Sequence, residues 1–161
     1  RGWARAELSL LPRVVAVGGM RVDRSVTPPK WVTTASVESL DLSTMRWSAA
    51  GCMPSLPDPR ACHSVSCGAD GRAVVCGGYN HGGADMMDHL MGTALQWLPG
   101  TDAWSALPDL PAKRLGAASV ELPDGRTMLI GGFSNGGQAL ASVLVLAADG
   151  SGWSDLPPLL F

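Results

Sequence analysis

Residues 70–78 read Asp-Gly-Arg-Ala-Val-Val-Cys-Gly-Gly, and this stretch decides the fold of the chain. Asp70-Gly71 stands between two short apolar segments, a pattern typical of a tight turn between antiparallel strands, because such a turn needs positive φ. The sequence therefore predicts strands over 62–68 and 72–76. The Gly77-Gly78 doublet ends the second strand, where the missing Cβ lets a neighbouring backbone approach closely.

The same pattern occurs three times. Glycine doublets follow short apolar runs at 18–19, 77–78 and 131–132, and they are spaced by 59 and then 54 positions. An arginine precedes each doublet by five positions, and a tryptophan and then an apolar residue with proline follow it. These markers are Arg13, Arg72, Arg126, Trp47, Trp104, Trp153, Met53-Pro54, Leu107-Pro108 and Leu156-Pro157. A repeat of this period predicts similar units that bury their hydrophobic faces on one another.

One unit is predicted to be a sheet of four antiparallel strands. In the first copy, residues 37–42 form the third strand, Ser43-Thr44 a turn, and Trp47 begins the fourth strand. The three units cover about 5–55, 60–110 and 114–160 of a single segment, 1–161. The sequence thus predicts an all-β protein with almost no helix, in which the recurring Trp, Gly-Gly and Arg positions are structural.

Composition excludes several classes of protein. The net charge of −2 argues against binding to a nucleic-acid backbone, which needs a basic face. With 46% hydrophobic and only 16% charged residues, the chain can build a core and is not expected to be disordered. Its best candidate for a membrane span, 139–148, is interrupted by Ser142 and is shorter than the roughly 18–20 residues of a membrane-spanning helix. We therefore expect neither a nucleic-acid partner nor a membrane span.

Two stretches resemble the kelch repeat: Val37-x-x-Leu40-Asp41-x-x-Thr44-x-x-Trp47, and Arg60-x-x-His63-Ser64. The resemblance implies a β-propeller with four-stranded blades, of which this chain holds three. Closed propellers have four to eight blades, so the ring is incomplete without further blades or a partner chain. Two interpretations stay open: the chain is a piece of a larger propeller, or a second chain or copy completes the ring.

The predicted function is a non-catalytic protein-interaction or scaffold module. In kelch proteins, loops between the second and third strands protrude and bind partners, and here the corresponding segments are 20–35, 79–92 and 133–141. The middle segment could also be a plain solvated loop, a short helix over 85–91, or a metal site with His and Asp ligands. The predicted partner-binding residues are Arg21, Arg24, Trp31, Tyr79, His81, Met86, Met87, Asp88, His89, Phe133 and Asn135.

Arg60 and Arg114 lie at corresponding positions, each 17 residues before its doublet. In kelch domains of ubiquitin-ligase adaptors, arginines near this place face the ligand and hold acidic peptides. The resemblance therefore implies that these two arginines face a ligand, while a structural salt bridge explains them equally well.

The four cysteines, Cys52, Cys62, Cys67 and Cys76, contain no C-x-x-C pair, so a zinc ribbon is not expected. A two-residue turn would place Cys67 opposite Val74 and make Cys67 and Cys76 diagonal neighbours, too far apart for a disulfide. The sequence thus predicts free, buried thiols, which suit a reducing intracellular compartment.

The enzymatic alternative is a copper-radical oxidase of the galactose or glyoxal oxidase type, because those enzymes also use kelch-like propellers. Cys62 lies near the place of their cross-linked cysteine. The resemblance also requires a tyrosine at the position of Gly116 and a second tyrosine ligand, and the chain has one Tyr in all. We therefore predict no enzymatic activity and no cofactor.

Overall fold

The computed structural model describes residues 13–48, 51–81 and 89–160, and within these ranges the chain forms strands, turns and connecting segments with no α-helix. No helix among these residues is long and apolar enough to cross a membrane. The strands of the described ranges are β1 (Arg13–Val17), β2 (Met20–Asp23), β3 (Lys30–Thr33), β4 (Val37–Asp41), β5 (Arg46–Trp47), β6 (Ser64–Cys67), β7 (Ala73–Cys76), β8 (Ala94–Trp97), β9 (Ser105–Leu107), β10 (Ala118–Glu121), β11 (Thr127–Ile130), β12 (Val143–Leu146) and β13 (Trp153–Leu156).

These strands form three main antiparallel sheets. The first sheet has the order β1-β4-β5, the second β6-β7-β8-β9 and the third β10-β11-β12-β13, while β2 and β3 form a separate hairpin. The all-β prediction is confirmed for the described residues, and two of the predicted four-stranded units are four-stranded sheets. The predicted first strand of the first unit falls within residues 1–12, which lie outside the described ranges.

The Asp-Gly hairpins exist, but their register differs from the predicted one. Cys67 pairs with Ala73, not with Val74. The Gly68 N–H donates to the Arg72 carbonyl at 2.9 Å, and the Gly71 N–H donates to the Gly68 carbonyl at 3.0 Å. The loop therefore has three residues, a turn followed by a glycine at φ +82°, which shifts the pairing by one position. The predicted positive φ is confirmed at Gly71 and, in the third sheet, at Gly125.

The corrected register places Cys67 and Cys76 on opposite faces of the second sheet, because side chains alternate along a strand. The prediction that these thiols are diagonal neighbours is therefore wrong. All four cysteines lie in the described ranges and are free, but only Cys76 is buried, which corrects the expectation of buried thiols. Burial raises the pKa of the Cys76 thiol to about 12.

Thiol titration checks this arrangement. We expect the native protein to react rapidly with an aromatic disulfide reagent at three thiols, and at a fourth only after unfolding, because Cys76 is buried and protonated. Cys76→Ser should leave the native count unchanged, whereas Cys67→Ser should lower it by one. Rapid loss of all four thiols in the native state would contradict the placement of Cys76.

The hydrophobic core lies between neighbouring sheets. One cluster joins the first sheet to the second through Val37, Val75, Leu95 and Trp104 among others. A second cluster joins the second sheet to the third and includes Val74, Cys76, Ala94, Leu107, Leu129, Leu144 and Leu146. The first and second sheets therefore each bury one face on the next sheet in the chain.

The repeated tryptophans connect one sheet to the preceding one. The Trp104 indole N–H donates to the Pro54 carbonyl at 2.9 Å, and the Trp153 indole N–H donates to the Pro108 carbonyl at 2.8 Å. Trp47 has no preceding sheet among the described residues and its side chain is 53% exposed. The three tryptophans, all predicted to be structural, therefore differ in exposure: Trp104 is buried, Trp153 is partly buried and Trp47 is exposed.

Candidate functional site

The end of each sheet that carries the glycine doublet is here called the loop end. Gly77 and Gly78 have φ of +63° and +94°, values that side-chain-bearing residues rarely adopt. The Gly77 N–H donates to the Thr93 carbonyl of its own sheet, and the Gly78 N–H donates to the Arg114 carbonyl of the next sheet. The doublet thus ties its sheet to the following one and sets the direction in which the next segment leaves.

The segments that leave the doublets differ in structure. The first, 20–35, was predicted as a loop and is instead largely the β2–β3 hairpin. Of the second segment, residues 79–81 and 89–92 are described, and the predicted contacts Met86, Met87 and Asp88 lie outside the described residues. The third segment is short and closes on itself by a hydrogen bond from the Ser134 N–H to the Gln138 carbonyl.

The first two segments contact each other at the loop end. The Thr33 hydroxyl donates to Asn80 Oδ1 at 2.8 Å and accepts the His81 N–H at 3.2 Å. The Tyr79 hydroxyl donates to the Met20 sulfur at 2.8 Å. The rings of Tyr79 and His81 are 6.5 Å apart between centroids. The hairpin and the second segment therefore form one surface, the loop surface.

The loop surface exposes some predicted partner-binding residues and buries another. Trp31 is 56% exposed on β3, and Phe133 on the third segment is also exposed. Tyr79 is buried under Met20, so it supports the surface and does not project from it. His89 is half-buried, and the remaining predicted residues among those described are exposed: Arg21, Arg24, His81 and Asn135.

Arg60 and Arg114 are buried at the loop end, with exposed fractions of 1% and 2%. Arg60 Nη1 donates to the Gly77 carbonyl at 3.2 Å, and Arg114 Nη1 donates to the Gly131 carbonyl at 3.1 Å. Burial lowers the pKa of both guanidinium groups. It also lowers the pKa of His63, as does the charge of Arg60. Each arginine holds the doublet of its own sheet through backbone carbonyls, and its ligand-facing role stays a prediction.

Cys62 in the second copy of the repeat and Gly116 in the third copy occupy equivalent positions. Cys62 has φ +51° and Gly116 has φ +64°, and the Gly116 N–H donates to the Cys62 carbonyl at 2.7 Å. Burial, and then the charge of the Cys62 thiolate, raises the pKa of Tyr79. The cysteine and the single tyrosine of the chain are thus neighbours at the loop end, and the tyrosine hydroxyl already bonds Met20.

No group of three or more His, Cys, Asp or Glu side chains suited to a metal ion occurs among residues 13–48, 51–81 and 89–160. The predicted metal alternative used Asp85 and Asp88, which lie outside these ranges.

A cleft of about 360 Å³ lies at the opposite end of the sheets, between the hairpin turns of the second and third sheets. Arg72 lines this cleft and donates through Nη1 to the Ala148 carbonyl of the third sheet at 2.9 Å. Its counterpart in the third sheet, Arg126, is exposed and pairs with Asp124 at 2.8 Å. Arg72 therefore connects two sheets, whereas Arg126, at the same place in the repeat, pairs with a residue of its own turn.

Sequence reasoning missed Met20 and Thr33 as parts of the loop surface. A signal for Met20 was present, because Met20, Tyr79 and Phe133 each follow a glycine doublet directly. No comparable signal marked Thr33, whose partner Asn80 is 47 positions away.

No protein-family model matches the chain, and no curated protein matches it.

Proposed function

We propose that this chain is a three-bladed segment of a kelch-like β-propeller and acts as a non-catalytic protein-interaction module. One observation carries the proposal: the same contacts join the first sheet to the second and the second to the third. The Gly19 N–H donates to the Arg60 carbonyl and the Gly78 N–H to the Arg114 carbonyl, both at 2.8 Å. A radial arrangement of blades requires the same contacts between each pair of successive sheets.

The indole bonds of Trp104 and Trp153 supply a second repeated contact between the same sheets. The spacing of equivalent residues and the order of strands within the second and third sheets both agree with kelch blades. These features support a propeller segment, and fold alone does not decide function. The functional part of the proposal therefore depends on the loop surface.

The loop surface has the composition of a protein-binding site. Tryptophan and arginine are enriched among residues that dominate binding energy. Trp31 is exposed on the face of the β2–β3 hairpin that carries Thr33, which bonds Asn80 of the second segment, and the exposed Arg21 lies on the opposite face. A rigid hairpin lowers the entropy cost of binding, because its anchor is already positioned. The proposed partner is a protein that contacts this surface, without nucleic acid or a membrane-spanning segment.

Affinity capture tests this function. The immobilised chain, incubated with extract of its native source, should retain a defined protein partner. We expect Trp31→Ala to weaken that association by more than about 1 kcal/mol, since a truncated anchor loses most of its contact area. Purified partner and calorimetry give the affinities.

Trp47→Ala is the matched control, because Trp47 is about equally exposed but lies away from the loop surface. It should leave partner affinity unchanged. Equal binding by the parent and by Trp31→Ala would contradict the proposed surface. Oxidation of a primary alcohol or aldehyde by the copper-loaded protein would contradict the non-catalytic assignment.

A further inference from the structure

Two sheet faces lack the cover that their equivalents have. We call the face of a sheet that packs on the following sheet its forward face, and the opposite face its backward face. The forward face of the second sheet, with Val74, Cys76, Ala94 and Leu107, is buried against the third sheet. The forward face of the third sheet has no following sheet among the described residues, and the backward face of the first sheet has no preceding one.

The forward face of the third sheet is mostly apolar. Strand pairing places eight side chains on this side of the sheet: Ala118, Val120, Met128, Ile130, Val143, Val145, Ser154 and Leu156. Their counterparts in the second sheet include Cys76, Ala94 and Leu107, which are buried. Val143 and Val145 at the centre of this face are buried, whereas Val120 on β10 is 46% exposed, so the hydrophobic surface that this face leaves open lies at its β10 side.

The polar groups of the two uncovered faces are complementary. Pro157 corresponds to Pro54 and Pro108, whose carbonyls accept an indole N–H from the next sheet. Within the described ranges no donor reaches the Pro157 carbonyl and no acceptor reaches the Trp47 indole N–H. One uncovered face thus offers the acceptor, and the other offers the donor, of a bond that the chain already makes twice.

The glycine doublets also carry a hydrogen-bonding group that is used in the first and second sheets and, within the described ranges, unused in the third. The N–H groups of Gly19 and Gly78 donate to arginine carbonyls of the following sheet. The corresponding N–H of Gly132 has no such acceptor in the part of the chain that the structure describes. Among the described residues, the third sheet therefore has an unused N–H donor at Gly132 and an unused carbonyl acceptor at Pro157. The equivalent groups of the first and second sheets bond the following sheet.

We propose that two copies of this chain associate head to tail, with the forward face of the third sheet covering the backward face of the first sheet of the other copy. The proposal rests on the propeller segment proposed above. A second copy of the chain is proposed to cover this face because the chain carries both faces of an interface that it forms twice between its own sheets. Two copies close through two identical junctions and give six sheets, within the four to eight of closed propellers.

Glu38 sets the strength of this association. It lies on the backward face of the first sheet, at the position of Leu95 in the second and Leu144 in the third. Both leucines are buried against the preceding sheet. In the proposed dimer the Glu38 carboxylate would enter an apolar junction, where an unpaired charge is costly. The dimer is therefore weak, and Glu38→Leu strengthens it.

Sedimentation equilibrium over a wide concentration range tests the proposal. The parent should show a reversible equilibrium between a 16.7 kDa species and one of twice that mass. Trp47→Ala on one face, and Val120→Glu on the other, should each weaken dimerisation about 30-fold or more, the effect of losing a hot spot or burying a charge. Glu38→Leu should strengthen dimerisation about tenfold or more.

Trp31→Ala is the matched control and should dimerise like the parent. Circular dichroism establishes that each variant is folded, and Val120→Glu keeps the test valid if Trp47→Ala unfolds. A chain that stays monomeric even as Glu38→Leu, or a dimer insensitive to both Trp47→Ala and Val120→Glu, overturns the proposal. A monomer that binds a partner through Trp31 overturns the dimer alone, whereas a dimer without loop-surface binding overturns only the proposed function.

Discussion

Trp104→Ala is expected to destabilise the protein by about 3–5 kcal/mol, the range measured for truncating buried aromatic residues. The Trp104 side chain is 8% exposed and lies in the cluster between the first and second sheets. Its removal leaves a cavity next to Val75 and Leu95, and it leaves the Pro54 carbonyl without its indole donor. Urea unfolding followed by circular dichroism measures the change in the free energy of unfolding.

Two further variants separate the causes. Trp104→Phe keeps most of the ring volume and loses the hydrogen bond to Pro54, so it should cost about 1–2 kcal/mol. Trp47→Ala should change the stability of the monomer by less than about 0.5 kcal/mol, as is usual for exposed positions. If Trp47→Ala and Trp104→Ala lowered the free energy of unfolding equally, Trp47 would have to be covered by residues other than those the structure describes.

Gly77→Ala is expected to have the second large effect, because two separate costs add at this position. An L-residue at φ +63° is strained by about 1–2 kcal/mol. A Cβ there would also collide with the Arg114 backbone carbonyl, which accepts the Gly78 N–H. That carbonyl cannot move away without breaking the tie between the second and third sheets, so we expect a further loss of about 1–3 kcal/mol.

Gly100→Ala is the matched control for this prediction. Gly100 also has a positive φ, +86°, but a Cβ built there meets no atom within 4 Å. It should therefore show only the conformational cost of about 1–2 kcal/mol. Thermal or urea unfolding of both variants gives the difference. If Gly77→Ala costs no more than Gly100→Ala, the close approach of the Arg114 carbonyl is not a feature of the folded protein.

Local chemistry made much of the fold predictable. The Asp-Gly turns, the short apolar runs in 73–76 and 127–130, and the doublets all predict structure from neighbours within about ten positions, which is the reach of turn and strand preferences. The predicted strands over 62–68 and 72–76 are present as β6 and β7, and the positive φ of Gly71 and Gly125 is confirmed. The hairpin register was wrong by one residue, because Asp-Gly suits both a two-residue loop and a three-residue loop that ends in glycine.

The candidate site was less predictable, because its members come from different copies. The sequence marked the segments after the doublets as variable, and the first two of them meet at one surface. It could not show that Tyr79 lies beneath Met20, or that Thr33 joins Asn80, since such pairs depend on how two sheets pack. It also could not show that Arg60 turns inward to the Gly77 carbonyl, because an arginine at a strand start is compatible with either direction.

The sequence by itself therefore determined the all-β class, the three-fold repetition and the positions of the turns, because these depend on residue preferences that act over a few neighbours. Only the tertiary structure decided which of three equivalent tryptophans is buried. Trp47, Trp104 and Trp153 occupy the same place in their copies, yet burial requires a neighbouring sheet, and Trp47 has none among the described residues. Burial is a property of the packed assembly, so the same residue at equivalent positions of the repeat can have different exposure.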